Sequence, residues 1–161
     1  MVSLKSEIAQ STPFSSLEEE AILNVMRTSD CLQRAFQHKT RDWGLTQTQY
    51  NVLRILRGAP PEGLACAAIG ERMIATEPDI TRLLRRLKVL KLIRQHRDRE
   101  DRRVVMTQIS EAGLDLLRAM DPVIQRIPPE LLGHIGRGEL AEMIRLLESA
   151  RQSCADADPS K

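Results

Sequence analysis

Arginine side chains that could bind nucleic acid are concentrated in two stretches of the chain. The first is ITRLLRRL at residues 80–87, and the second is RDREDRRVV at residues 97–105. If the first stretch is helical, its outer face carries Thr81, Arg82 and Arg85, opposite a row of Ile and Leu side chains. A helix of this kind can enter the DNA major groove, where guanidinium groups reach guanine edges or phosphates. The alternative is a solvated amphipathic helix, because charged outer faces are common.

The second stretch places four arginines and three acids between two apolar segments. Leu92–His96 and Val104–Ile109 alternate as strands do, which makes the charged run the loop of a hairpin. Such a loop can reach the minor groove, where narrow A·T tracts attract arginine. We expect Asp98 or Asp101 to pair with neighbouring arginines and to orient their guanidinium groups. The alternative is a solvated loop with weak internal ion pairs.

Helices must position these two stretches. A capping box at Ser15–Glu19 predicts a first helix over residues 17–38, which ends at Trp43–Gly44, and its inward side chains are predicted to be Ile22, Val25, Met26, Leu32 and Phe36. A second capping box at residues 46–49 opens the next helix, and a short one follows over about 65–73. Thr76 is expected to cap the arginine-bearing helix, which runs to about Leu90. Two helices joined by a tight turn and followed by a hairpin form a winged helix-turn-helix.

Two further helices are predicted after the hairpin. The first starts at Ser110 and is broken by Pro128–Pro129, and the second covers about 138–152. The predicted organisation is a flexible arm at 1–16, a dimerisation helix at 17–44, a winged helix-turn-helix DNA-binding domain at 45–110, C-terminal dimerisation helices at 111–152 and a frayed tail at 153–161. The apolar faces of the terminal helices predict a partner subunit, with an intramolecular bundle as the alternative. The expected fold is mainly α with a small β-hairpin wing.

Composition excludes several classes of protein. The 161 residues carry a net charge of only +2, so binding to nucleic acid would depend on local basic patches. Enzyme motifs such as a phosphate loop or a nucleophile elbow are missing from the sequence, so an enzyme is not expected. Three scattered cysteines and three dispersed histidines predict no disulfide framework and no metal site. Without a signal peptide or a long apolar run, a cytoplasmic protein with no membrane segment is expected.

The order of these pieces resembles the MarR family of winged-helix regulators. DREDRRVVMTQISEAG looks like the wing and the following helix start of that family, GLTQTQYNVLRIL like its second helix and ITRLLRRL like its recognition helix. The resemblance covers about residues 17–152. Two departures stand out: Lys91 occupies a position where the family usually has glycine, and GAPPEG is an unusual link between helices.

The resemblance implies a homodimer that binds a pseudo-palindromic double-stranded DNA operator, usually as a repressor. Asp101 then matches the acid that orients arginines, Arg103 matches the minor-groove arginine, and Arg86 matches a recognition-helix position that could instead pair with the wing. The predicted DNA contacts are Thr76, Glu77, Pro78, Asp79, Thr81, Arg82, Arg85 and Arg86 in the helix and Arg97, Arg99, Asp101, Arg102 and Arg103 in the wing.

The resemblance also implies a small aromatic or phenolic effector, and no other cofactor. Its predicted pocket comprises His38, Arg41, Trp43 and Tyr50, although a Trp and a Tyr beside a helix break often serve packing alone. Sensing of oxidants through a cysteine is not favoured, because Asp30 beside Cys31 would raise the thiol pKa. The rival to a DNA-binding regulator is a winged-helix module that binds protein or RNA, which should present apolar anchors on its recognition face.

Overall fold

The computed structural model describes residues 2–157, and these residues form a mainly α-helical protein with one small sheet. The helices are α1 (Leu4–Glu7), α2 (Leu17–Thr40), α3 (Gln47–Arg57), α4 (Cys66–Glu71), α5 (Ile80–Val89), α6 (Glu111–Leu132) and α7 (Arg137–Ala157). The strands are β1 (Leu64–Ala65), β2 (Ile93–Arg97) and β3 (Val105–Ile109). The chain divides into two compact units, one extending to Ile124 and the other beginning at Gln125. The predicted fold class is confirmed.

The sheet contains the predicted hairpin and one strand that was not predicted. Its strand order is β1-β3-β2, and all pairs are antiparallel. In the hairpin Ile93 lies opposite Ile109, and Arg97 lies opposite Val105. Strand β1 has only two residues, and two residues are too few to show an alternating pattern. Its partner strand supplies the pairing that makes it a strand.

The predicted helix starts at Ser16 and Thr46 are confirmed. The Ser16 hydroxyl accepts a hydrogen bond from the Glu19 backbone N–H at 3.1 Å. Thr46 and Gln49 form a complete capping box, in which each side chain bonds the backbone of the other residue. Between α2 and α3 the chain makes a single 3-10 turn and then adopts a left-handed conformation at Gly44, with φ of 65°. This glycine ends the 3-10 turn, at the Trp43–Gly44 break that the sequence predicted.

The arginine-bearing helix α5 begins three residues later than predicted. Its N-cap is Asp79, whose carboxylate accepts a hydrogen bond from the Arg82 N–H at 2.9 Å, and not Thr76. Pro78 explains the difference, because a proline disfavours the helical conformation of the residue before it, here Glu77. Helical backbone therefore cannot begin before Pro78, and Asp79 is the first residue from there on whose side chain favours an N-cap.

The prediction that Pro128–Pro129 break the sixth helix is wrong, since α6 continues to Leu132. The two prolines lack N–H groups, so the carbonyls of Ile124 and Gln125 lose their usual donors four residues ahead. The helix nevertheless runs for about one more turn and ends at Gly133, whose N–H donates to the Pro129 carbonyl at 2.9 Å. The last helix also extends further than predicted, to Ala157. The rest of the predicted frayed tail lies outside the described residues.

The predicted N-terminal arm contains a short helix. In α1, Leu4 is buried, and the Glu7 carboxylate pairs with Arg27 of α2 at 3.4 Å. This part of the arm therefore packs on the chain, in contrast to the prediction that residues 1–16 are flexible.

The core of the first unit is aliphatic and is shared by α3, α4, α5, the sheet and the start of α6. Its fully buried members include Val52, Leu53, Ile69, Leu87, Leu117 and Met120. Three residues of α2 that were predicted to point inward are instead exposed in the single chain, namely Ile22, Val25 and Met26. The first unit's own core does not cover this apolar face of α2. In the second unit Ile127 is buried, whereas Ile144 and Leu146 of α7 are exposed.

Candidate nucleic-acid interface

Helix α5 presents its arginines by burying the opposite face. Leu83, Leu84 and Leu87 are buried in the core of the first unit. Because helical positions three and four apart share a face, this anchoring directs the outer face of the helix to solvent. Thr81, Arg82, Arg85 and Arg86 lie there and are all exposed.

None of the three arginines of α5 forms a salt bridge with a described residue. The ion pair between Arg86 and the wing that the sequence allowed is therefore not formed among these residues. Many other arginines of the chain are paired, for example Arg57 with Asp121 at 2.9 Å. The guanidinium groups of α5 remain available for phosphates or base edges.

The segment Thr76–Asp79 precedes α5 as a turn and is not part of it. Thr76, Pro78 and Asp79 are exposed, and Glu77 is half-buried. Asp79 already uses its carboxylate on the backbone of Arg82. Its role in the structure is to define the first turn of α5, and through that turn the position from which the Arg82 side chain extends.

The wing loop is organised by hydrogen bonds to its own backbone. The Asp98 carboxylate accepts hydrogen bonds from the N–H groups of Glu100 at 2.9 Å and Asp101 at 3.0 Å. The Asp101 carboxylate accepts one from Arg103 N–H at 2.9 Å. The backbone N–H groups of Asp101 and Glu100 thereby hold the pKa of the Asp98 carboxyl below its ordinary value. These contacts fold the loop as consecutive Asx turns.

The expectation that Asp98 or Asp101 pairs with arginine side chains is therefore wrong. Both carboxylates bind backbone N–H groups, which lie within two or three residues and need no long side chain to be ordered. One arginine takes part in the loop's structure, since Arg97 donates to the Arg102 carbonyl at 2.7 Å. The side chains of Arg99, Arg102 and Arg103 are exposed and have no salt bridge with a described residue.

Lys91 joins the end of α5 to the first wing strand in a left-handed conformation, with φ of 60°. The Ser110 hydroxyl donates to the Lys91 carbonyl at 2.7 Å and accepts from Gly113 N–H at 3.1 Å. Gly113 lies so close to the Leu92 carbonyl that a Cβ atom would clash with it. The start of α6 thus holds the turn between the recognition helix and the wing.

Two of the predicted effector residues, Trp43 and Tyr50, pack in the core of the first unit. The rings of Tyr50 and Phe36 lie 5.4 Å apart in a tilted arrangement, and Trp43 packs against the same core. Burial raises the pKa of the Tyr50 hydroxyl. His38 and Arg41 are exposed, and Arg41 pairs with Asp42 at 3.5 Å. The two aromatic side chains thus have a packing role, and their contact with an effector stays a prediction.

A cavity of about 410 Å³ lies nearby, bordered by α2, the start of α3 and the turn after α4. Asn51 lines it, a residue that sequence reasoning passed over. The sequence did hold a signal, because Asn51 is a polar residue between Tyr50 and Val52, which are both buried.

We also searched the described residues for a metal site, reactive cysteines and a membrane-spanning helix. No cluster of three potential metal-ligating side chains occurs among these residues. Cys31 and Cys154 are exposed, Cys66 is half-buried, and all three are free thiols. In the same residues, no helix combines the length and apolar character that a membrane crossing requires.

Comparison with known proteins agrees with this geometry. A sequence model of the MarR family matches residues 43–104, from the end of the 3-10 turn to the wing. The HTH-type transcriptional repressor NicR of Pseudomonas putida is 32% identical over 125 residues, which cover 76% of each chain. The HTH-type transcriptional regulator TtmR of Methylorubrum extorquens is 31% identical over 119 residues, 74% of this chain and 60% of that protein.

A solved structure gives the same result. The MarR transcription factor from Planctomyces limnophilus superposes with a TM-score of 0.65 and is 39% identical, covering 84% of this chain and 98% of that one. Similarity at this level spans the helices, the recognition helix and the wing together. The chain therefore belongs to the MarR family and is a winged helix-turn-helix regulator of transcription that binds DNA.

Proposed function

We propose that the protein acts as a homodimer that binds a pseudo-palindromic operator, represses transcription and releases the DNA in response to a small aromatic or phenolic effector. DNA binding is supported chiefly by the outer face of α5, where three exposed arginines have no salt bridge with a described residue. The opposite face of the helix is buried in the core. Free guanidinium groups on a rigid helix can form bidentate contacts with guanine or phosphate.

The proposed DNA contacts are Thr81, Arg82, Arg85 and Arg86 of α5, the turn Thr76–Asp79 before it, and Arg97, Arg99, Asp101, Arg102 and Arg103 of the wing. Of these, Asp101 acts through its bond to the Arg103 backbone. Arg103 is the residue proposed to enter the minor groove, which is narrow in A·T tracts and attracts cationic side chains.

Support for a homodimer comes from the apolar residues that the single chain leaves exposed. On α2 these are Leu17, Ile22, Val25 and Met26, with Ile22 60% exposed, and on α7 they are Ile144 and Leu146. Exposed apolar patches on a helix of this length mark interaction surfaces. A twofold dimer places its two recognition helices about 34 Å apart, one turn of DNA.

The decisive test uses Arg82→Glu and a matched reversal, Arg54→Glu, at an exposed arginine of α3 outside the proposed contacts. Fluorescence anisotropy is measured on the DNA next to the protein's own gene and on random DNA, across a salt series. We expect Arg82→Glu to lose operator binding by at least about 100-fold, because a bidentate contact is replaced by repulsion. Arg54→Glu should bind within about threefold of wild type, since surface substitutions are usually nearly neutral.

Sedimentation in the same experiment tests the dimer. Both variants should sediment like the wild-type dimer. The loss of affinity in Arg82→Glu can then be attributed to the DNA-contacting face of α5 and not to dissociation of the dimer. Operator binding by Arg82→Glu at wild-type strength would refute the proposed contacts. Weak binding of the wild type, equal on operator and random DNA, would instead favour a module that binds protein or RNA.

A further inference from the structure

The link between α3 and β1, residues 58–63, forms a tight turn next to the wing. Its sequence is GAPPEG, the proline-rich stretch that departs from the usual pattern of the family. The Gly63 N–H donates to the Pro60 carbonyl at 2.8 Å, which closes a four-residue turn with Pro61 in its second position. Proline suits that position because its ring fixes φ near the value that the turn requires. The conformation of the link is therefore set by its own residues.

Gly63 lets this turn approach the second wing strand closely. It is buried, and its backbone has φ of 86°, a conformation that favours glycine. A Cβ atom at this position would clash with the Thr107 carbonyl and with the side chain of Gln108. Immediately after it, strand β1 pairs with Thr107 and Met106. The link and β1 together thus contact β3 over residues 106–108.

A side chain of β3 completes this contact. Gln108 Nε2 donates a hydrogen bond to the carbonyl of Pro61, which lies 47 positions earlier in the chain. Gln108 is half-buried, whereas the neighbouring Thr107 is 0% exposed. The bond therefore lies at the edge of the core, and its loss should leave the fold of the first unit intact.

The wing loop projects from the part of the hairpin that the link contacts. Strand β1 pairs with β3 only as far as Met106, and the wing arginines lie further along the hairpin. Arg103 is three residues from Met106, a distance of about 10 Å along an extended chain. Residues 98–104 include no buried residue. The position of the wing arginines therefore depends on how firmly the base of the hairpin is held.

We infer that Gln108 is a positioning residue for DNA binding, which fixes the base of the wing hairpin against the link through its bond to Pro61. This bond sets where the wing arginines meet the minor groove. The inference rests on the proposed function, in which Arg103 enters that groove. It also gives the GAPPEG link a role in DNA binding. Gln108 contacts no DNA and acts only through the hairpin.

The substitution Gln108→Met tests this role, because methionine is similarly long and unbranched but has no hydrogen-bond donor. Gln125→Met is the matched control, since Gln125 is exposed on α6, outside the hairpin and the link. Operator affinity is measured by fluorescence anisotropy. We expect Gln108→Met to bind about tenfold more weakly than wild type, roughly threefold for each wing of the dimer, as for loss of one hydrogen bond per wing. Gln125→Met should bind within about twofold of wild type.

A double-mutant cycle shows whether Gln108 acts through the wing. In an Arg103→Ala background, Gln108→Met should weaken binding by less than about threefold, because the contact that it positions is already lost. In an Arg85→Ala background the loss should remain about tenfold, since Arg85 lies on the recognition helix and is independent of the hairpin. A general structural defect would reduce affinity equally in both backgrounds, and equal losses would overturn the inference.

NMR relaxation without DNA gives a test that does not depend on the operator. In Gln108→Met the backbone amides of residues 99–103 should become more mobile, while those of α5 remain as in wild type. Unchanged mobility of the wing loop would contradict the positioning role of Gln108. The proposed operator-binding dimer stands or falls separately on the Arg82→Glu experiment.

A measurement on the wild type covers the case in which Gln108→Met does not fold. Exchange of side-chain amide protons with solvent is compared by NMR for Gln108 and the exposed Gln125. The amide of Gln108 should exchange at least about fivefold more slowly, because one of its protons is bonded to the Pro61 carbonyl. Equal exchange rates would show that this bond is not formed and would refute the inference.

Discussion

The recognition helix and the wing expose their arginines by different physical means. In α5 the exposed face follows from burial of Leu83, Leu84 and Leu87 on the other side. In the wing loop, where residues 98–104 include no buried residue, Asp98 and Asp101 shape the chain through bonds to nearby backbone N–H groups. The helix surface is thus maintained by the core of the whole unit, and the wing by contacts within a few residues.

This difference predicts how each surface can be damaged. A substitution on the buried face of α5 should reduce the stability of the whole first unit, because the leucines of that face belong to the shared core. A change in the wing loop should leave the fold intact and act on DNA binding alone. Global stability and local order can therefore be separated by experiment.

The largest effect is expected for Leu87→Ala, because Leu87 is 0% exposed. Removal of a buried leucine leaves a cavity and costs about 2–5 kcal/mol in the free energy of unfolding. The control is Val89→Ala in the same helix, where the side chain is 77% exposed, and it should change stability by less than about 0.5 kcal/mol. Urea denaturation at one fixed protein concentration measures both. Equal losses of stability in the two variants would show that burial of Leu87 does not stabilise α5.

A smaller effect is expected for Asp98→Ala, measured as operator affinity. This change removes the acceptor for two backbone N–H groups of the loop, whereas Glu100→Ala removes the same charge from an exposed neighbour. Loss of the acidic charge favours DNA binding equally in both variants. We therefore expect Asp98→Ala to bind the operator roughly fivefold more weakly than Glu100→Ala. This factor corresponds to the net free energy of about one hydrogen bond. Urea midpoints of the two variants should agree, and a large drop in either would contradict the local character of the wing.

The smallest effect is the response of the wing to acid. The pKa of Asp98 lies below its ordinary value of 3.8 because its carboxylate accepts backbone hydrogen bonds. A lowered pKa in the folded loop means that the stabilisation is fully present above the ordinary value and is lost as the pH falls through the lowered one. NMR signals of the Glu100 and Asp101 amides should shift in that acidic range, while signals from α5 stay constant. Simultaneous changes in both regions would indicate global unfolding instead.

The recognition helix and the hairpin could be predicted from sequence because each has a clear period. Leucines at helical spacing and alternating apolar residues identify α5 and the two hairpin strands without any knowledge of the rest of the chain. The helix caps at Ser16 and Thr46 are equally local, since all of their groups lie within four residues. Family resemblance added the expected DNA-binding role, which the matched relatives support.

Errors arose where two local signals competed. Thr76 and Asp79 both suit a helix cap, and the conformational restriction before Pro78 decides for Asp79. In the wing, an aspartate beside several arginines suggests ion pairs, but backbone N–H groups are closer and already in position. Pattern alone does not rank such alternatives, because the ranking depends on backbone geometry.

The periods and caps of this sequence were sufficient to locate its long helices, its hairpin and the leucines that α5 buries. Contacts between residues distant in sequence could not be obtained in this way. The bond between Asn51 and Ile74 spans 23 positions, and strand β1 exists only because Leu64 meets Thr107. Local patterns report the preferences of neighbouring residues, whereas a cavity or a strand pair depends on how separate elements pack together. For that reason the arginine surfaces were found in the sequence, and the cavity beside Asn51 was found only in the structure.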